Sequence, residues 1–262
     1  MNGALSSSTE VDFVEEFAAA AERFAVAVAW TDQRAVVPTC PRWTVRQLVV
    51  HVANVHAWAA TVVETGRAAH EQDDEPSSSR SRQVSQWYAG KAEDLYEVLR
   101  STDPGRPCWN FAFGLGVAGF WRRRQLHETT VHLLDLDAAG GRGTELTPVV
   151  AADGVDEVLT VFLPRMHQRG HVLGLDRPLA LTATDTGDTW LLAPRPRAAA
   201  TPGLPTVQRR RSATSAVPDR LEAEAATLYR LLWGRSAAAD ADVSFHGDRS
   251  RLTAFLGSRL VP

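Results

Sequence analysis

The sequence predicts an α+β protein, with an N-terminal four-helix bundle over residues 1–142 and a smaller α+β domain over residues 143–262. Three observations carry that expectation. Apolar residues recur at helical spacing in four separate stretches of the first half. The segments between them are dense in Pro, Gly, Ser and charge. Past Gly141 the texture changes, and short alternating runs with turn signals appear among the helical ones.

In the first helix Phe13, Phe17, Ala21, Phe24 and Val28 form one stripe, leaving Glu15, Glu16, Glu22 and Arg23 for solvent. Pro38 and Pro41 break the pattern, and Thr44 reads as the N-cap of a second helix. Its stripe runs through Leu48, Val52, Val55, Ala59 and Val62 to about Gly66. The charged, Ser-rich residues 68–81 form a surface loop. A third helix carries Val84, Trp87, Tyr88, Lys91, Leu95 and Val98, and stops before the turn-rich STDPGRP. The Gly-rich FAFGLGVAGF is a connecting passage into a fourth helix, residues 121–138, closed by Gly140 and Gly141. Four amphipathic helices of this kind make a bundle. Beyond them AADGVDEVLTVFLPRMH reads as a helix, and LALTATDTGDTWLLA as a hairpin that bends at TGD. The centre of residues 194–219, rich in Pro, Ala and Arg, reads as a flexible loop before one more short strand. LEAEAATLYRLLWG then reads as a helix, DVSFHGD as a strand and RLTAFLGSRL as a terminal helix.

Composition narrows the function. The net charge of −3 gives no sign of a polyanion-binding face. The triplets Arg122–Arg124 and Arg209–Arg211 lack interleaved aromatics and read as solvated. No apolar run reaches the roughly 18–20 residues of a membrane span. MNGALSSSTE has neither the basic nor the apolar region of a secretory signal, so a soluble, cytoplasmic protein is expected. Two cysteines, Cys40 and Cys108, are too few for a disulfide framework, and both read as structural. Lys91 is the one lysine among 28 basic residues, a bias that points to GC-rich, actinobacterium-like coding.

The densest cluster of chemistry-bearing residues is RRRQLHETTVHLLDLD on the fourth helix. His127 and His132 are five apart, about 140° around the helix, and cannot grip one metal as H-E-x-x-H does. Glu128 and His132 are four apart and stack on adjacent turns, a half-site for a divalent metal. Trp121 and Gln125 share their face. His51 borders the apolar stripe of the second helix and offers a third ligand; His56 faces elsewhere. The same residues also suit plainer roles, a hydrogen-bonded boundary histidine and a surface Glu–His pair. Asp135 and Asp137 either orient a ligand histidine or cap the helix end.

At these residues the sequence resembles a known family. VPTCPRWTVRQLVVHVANVHAW with FWRRRQLHETTVHLLDLDAAGG is similar to the actinobacterial mycothiol-dependent maleylpyruvate isomerases, within the DinB-like metalloenzyme superfamily. AADGVDEVL, LTATDTGDTW and LYRLLWGR resemble that family's smaller C-terminal domain, so the likeness spans roughly residues 10–258. It implies a DinB-like bundle, an α+β domain closing the site, and a divalent metal, usually zinc, on two His and one Glu. Carried over, the ligands are His51, Glu128 and His132. It also implies mycothiol as thiol cosubstrate and an arginine of the C-terminal domain near the metal, for which Arg235 of LLWGR is the candidate. Arg82, placed in the loop before the third helix, is a second candidate, for an anionic substrate group. Arg42 and Gln47 depart from the family, which commonly has a small residue and Asp there.

The expected chemistry follows from an open position on a three-ligand metal, where a thiol loses its proton. The thiolate adds to an electron-poor double bond. Rotation and elimination then isomerise the substrate, whereas a stable adduct makes the enzyme an S-transferase. Arg235 would stabilise the developing enolate or carboxylate charge. The partners expected are mycothiol and a small electrophile, without nucleic acid or membrane. The alternatives are a non-catalytic thiol- or metal-binding member of the family and a hydrolase that activates water.

Overall fold

A computed structural model of the chain describes residues 11–195, 201, 203–211 and 217–262. The chain divides into two compact units, up to Thr144 and from Glu145 on.

In the first unit, α1 (Phe13–Trp30) opens on Asp12, whose carboxylate accepts from Val14 N at 3.1 Å and Glu15 N at 3.3 Å. Helix α2 (Val45–Thr65) opens on a complete capping box. Thr44 Oγ1 accepts from Gln47 N at 3.4 Å, and Gln47 Oε1 accepts from Thr44 N at 2.9 Å. Gln47 therefore has a structural task at this departure from the family pattern. The helix closes at Gly66, whose φ of 70° suits glycine. With α3 (Ser81–Ser101) and α4 (Gly119–Ala139) these form the bundle, α1 and α2 each packing on both α3 and α4. Phe17, Phe24, Leu48, Tyr88, Leu95 and Trp121 fill its core.

The Gly-rich connection before α4 is a hairpin, not an irregular passage: β1 (Pro107–Asn110) pairs antiparallel with β2 (Gly114–Val117). Asn110 Oδ1 accepts from Ala112 N at 3.0 Å and Phe113 N at 2.8 Å, which fixes the turn. A Cβ on Gly116 would lie 2.5 Å from Asn110 Nδ2. Gly116 is there because the Asn110 side chain occupies the space a Cβ would take, and Gly114 because the turn needs its φ of 77°.

The second unit begins with α5 (Pro148–Glu157), a wide π turn over Val158–Phe162, and α6 (Leu163–Gln168). Pro164 lacks an N–H and crowds the carbonyl of Thr160, so the single regular helix expected here is widened. A five-stranded sheet follows, ordered β5-β4-β3-β6-β7. Strands β3 (Leu179–Ala183) and β4 (Thr189–Ala193) are the expected hairpin. Strand β5 (Thr206–Arg210) lies in the stretch expected to hold a flexible loop and then one short strand; residues 196–200, 202 and 212–216 of that stretch fall outside the described residues. Strand β6 (Arg220–Ala223) takes the first part of the segment expected to be helical. There Leu221 and Ala223 are buried and Arg220 and Glu222 half-buried, a period of two that parallel pairing with β3 enforces. Helix α7 (Ala225–Leu232), β7 (Ser244–His246) and α8 (Arg249–Leu256) complete the unit. Arg209 is exposed with its two neighbours, as the triplet predicts, and is also ion-paired: its guanidinium meets both oxygens of Asp188 at 3.0 Å and lies over the Trp190 ring. No helix among the described residues is long and apolar enough to cross a membrane.

Asp219 ties this unit together. Its carboxylate accepts from Arg177 Nε at 2.8 Å, Asp248 N at 2.9 Å and Arg251 Nη1 at 2.7 Å. The Arg177 hydrogen bond first, then that from Asp248, lower its pKa from 3.8 to about 2. The unfolded chain then takes up a proton before the folded one does, so this stabilisation is complete above pH 4 and lost as pH falls towards 2. Urea midpoints of wild type and Asp219→Asn are expected to converge over that window. A constant gap between the two would show that Asp219 does not titrate in it.

Candidate metal centre

His51 lies two turns into α2, and Glu128 and His132 lie on consecutive turns of α4. Packing of the two helices brings one donor atom from each within 4.8 Å of the others. His51 Nε2 is 3.3 Å and His132 Nε2 3.4 Å from the same oxygen, Glu128 Oε1. The two imidazoles meet edge to face, with centroids 5.2 Å apart. Trp43, held in the tight loop before α2, stacks obliquely on His51 at 4.9 Å. A cavity of about 300 Å³ lined by Trp43, Arg46, Gln47, Asn54 and Glu71 opens beside His51.

Other side chains hold the three in place. Asp135, fully buried, accepts from His132 Nδ1 at 2.9 Å through Oδ2 and from Thr39 Oγ1 at 2.5 Å through Oδ1. His132 thus keeps its proton on Nδ1 and turns Nε2 to the cluster. Arg124 donates to Glu128 Oε2 at 2.9 Å, which leaves Oε1 for the two rings. Arg124 is only 2% exposed, so the expectation of a solvated Arg122–Arg124 triplet fails at this residue. The signal was present in its four-residue spacing from Glu128. Asp137 accepts from Arg142 Nε and Thr144 Oγ1 just before the helix end, whose cap is Gly140; of the two aspartates, Asp135 is the one that meets a histidine.

Electrostatics follow from this geometry. Burial opposes a charged Glu128, yet hydrogen bonds from His132 and His51 and the nearby Arg124 hold its pKa well below the usual carboxylate range. Burial likewise opposes a charged His132, but the Asp135 and Glu128 hydrogen bonds outweigh it and raise the pKa to about 9. His56 is the converse. Burial lowers its pKa to about 4, and the Gln125 hydrogen bond only partly offsets that.

The donors suit a divalent metal of zinc type. Ligand atoms about 2.0–2.1 Å from a tetrahedral centre lie roughly 3.4 Å apart, and the separations from Glu128 Oε1 are 3.3 and 3.4 Å. A carboxylate behind a metal-ligating histidine is the usual support for such a site, and Asp135 stands in that place behind His132.

His127 is buried on α4 and stands outside the trio, as its spacing requires. Arg82 lies in the first turn of α3, not in the preceding loop, exposed and with its guanidinium 5.7 Å from the Trp30 ring. Arg235 is half-buried beyond α7 in the second unit and donates to Trp233 O at 2.7 Å. Cys108 is buried, with its thiol against Val62 O at 3.5 Å.

Two family profiles match the chain: the mycothiol maleylpyruvate isomerase N-terminal domain over residues 12–137 and the corresponding C-terminal domain over residues 149–254. Among solved structures the chain is similar to a mycothiol-dependent maleylpyruvate isomerase and to a histidine-to-alanine mutant of it. Each is 12% identical, with a TM-score of 0.58 over 89% of this chain and 92% of the other. At that identity the likeness is one of fold. No curated relative matches the chain in sequence.

Proposed function

The chain belongs to the mycothiol maleylpyruvate isomerase family, and from that premise we propose that it is a mycothiol-dependent metalloenzyme with a divalent metal, zinc foremost, on His51, Glu128 and His132. The observation that carries this reading is the convergence of three donors from two helices within 4.8 Å of one another, with both imidazole nitrogens 3.3–3.4 Å from Glu128 Oε1. A metal bound there supplies a Lewis acid that makes an entering thiol give up its proton. Asp135 keeps the His132 ring in the tautomer that presents Nε2. Arg124 occupies one Glu128 oxygen, so the carboxylate offers the other. The reaction class is cis–trans isomerisation of a maleylpyruvate-like unsaturated acid, or transfer of the thiol to a small electrophile.

The test is turnover of maleylpyruvate by zinc-loaded protein with and without mycothiol. Turnover that needs both metal and thiol supports the reading. A protein that takes up no metal, or turns over without the thiol, overturns it.

Two expectations follow. In the metal-free chain His132 holds a proton below about pH 9, and a ligand must surrender it. Loading zinc at pH 7.5 should therefore release about one proton from His132, and apparent affinity should rise about tenfold per pH unit up to about pH 9. Calorimetry in two buffers of different ionisation enthalpy measures the release; none at all would remove His132 from the ligand set. Arg235 is proposed to stabilise developing negative charge on the substrate, with Arg82 the second candidate for an anionic group. Arg235→Ala should lower turnover by about 100-fold with the metal retained, and unchanged turnover would end that role.

A further inference from the structure

His56 touches every helix of the bundle. It projects from α2, and Phe17 of α1 meets its ring edge-on with centroids 5.3 Å apart. The Tyr88 hydroxyl of α3 lies 3.3 Å from Nε2. On α4, Gln125 Oε1 lies 2.9 Å from Nδ1 and Thr129 Oγ1 3.4 Å from Nε2. The ring is fully buried. The donors sort themselves: Thr129 gives its proton to Gln125 O at 2.8 Å, so Tyr88 donates to Nε2 and the imidazole carries its hydrogen on Nδ1 for Gln125. A neutral ring in one tautomer satisfies all of these partners.

The same two helices, α2 and α4, supply the metal ligands. His51 precedes His56 on α2, and Glu128 follows Gln125 on α4, so the polar clasp and the ligand trio lie side by side along one antiparallel pair. Apolar packing has no direction and tolerates small axial slips. A buried hydrogen bond does not, because a slip strands both donor and acceptor. Metal-ligand distances hold only within about 0.2 Å, so a slip that packing would accept is enough to spoil the site.

We propose that His56 and Gln125 are positioning residues, whose hydrogen bond sets the axial register of α2 against α4 and with it the separation of His51 from Glu128 and His132. The proposal rests on the metal reading above. Its specific content is that a polar pair which binds no ligand itself governs how well the site holds one.

The test uses cobalt(II) as probe, titrated into metal-stripped full-length protein and followed by its visible absorption, with thermal unfolding measured alongside. The variant is His56→Phe with Gln125→Leu, which removes both partners and keeps an aromatic ring against Phe17. Replacing both members of a buried polar pair by apolar groups of like shape is close to neutral for stability. The double variant also strands the buried Tyr88 hydroxyl, so it should fold but melt a few degrees below the wild type, and bind cobalt about tenfold or more weakly, with an altered absorption spectrum. His56→Asn, which retains a donor near the Nδ1 position, should recover part of the affinity. If the double variant does not fold, Gln125→Leu alone decides: weaker cobalt binding by folded protein supports the proposal, and a changed melting temperature with wild-type binding overturns it. Wild-type affinity and spectrum in the double variant overturn this proposal alone. A wild type that takes up no cobalt overturns the metal reading and this proposal with it.

Discussion

His132→Ala is expected to carry no divalent metal where the wild type carries one per chain, and to lose mycothiol-dependent turnover by more than about 1,000-fold, a barrier increase of over about 4 kcal/mol. The substitution removes one of three donors, and what it leaves is poor. Glu128 keeps one oxygen on Arg124, and His51 is the more exposed of the two rings. Asp135 loses the ring it orients and is left buried on Thr39. The fold should survive, because the lost side chain sits at the edge of the core. Metal analysis after zinc loading, with circular dichroism as the folding control, measures this. One equivalent of metal in the folded variant would show that His132 is no ligand. The contrast with Arg235→Ala, expected to be slow but metal-replete, separates loss of the metal from loss of charge stabilisation.

Arg124→Ala is expected to destabilise the bundle by about 3 kcal/mol. It strips a buried guanidinium from Glu128, and breaking a buried ion pair from one side costs about 3–5 kcal/mol. The lower end applies here, because protonated His132 still faces Glu128. About 3 kcal/mol corresponds to a fall of roughly 10 °C in melting temperature for a chain of this size. A shift of under about 2 °C would mean that the pair contributes little and that Arg124 is held by its length alone.

The three donors that meet in the structure were legible as candidates because the information is local: Glu128 and His132 are one helical turn apart, and His51 sits beside an apolar stripe. Family resemblance joined the two halves, which spacing alone left open. Asp135 was visible but ambiguous, since only tertiary packing decides whether a carboxylate three residues past a histidine faces the ring or the helix end. Arg124 was misread because a run of three arginines resembles a solvated face, although its spacing to Glu128 was in plain view. Trp43 carried no local signal; it reaches the histidines through a loop whose course depends on α4. The hairpin before α4 and the strand β6 were missed for a related reason. Glycines demanded by a neighbouring side chain look like loop, and a strand paired in parallel across the sheet looks like the start of the helix it feeds.

The topology of the candidate site bears on when a metal could bind. Thr39 and Asp135, which brace it, are 96 positions apart, and His51 is remote in sequence from Glu128 and His132. An unfolded chain offers only a two-donor fragment, on a segment that is marginally helical by itself. Metal binding at these residues would therefore be linked to the finished bundle and would stabilise it. An ion at 100 times its Kd for the folded chain adds about 2.7 kcal/mol to stability, which a chelator would withdraw without altering the fold. On the proposed reading the newly synthesised chain would assemble first and load afterwards, so metal supply would govern how long the folded protein lasts rather than whether it forms.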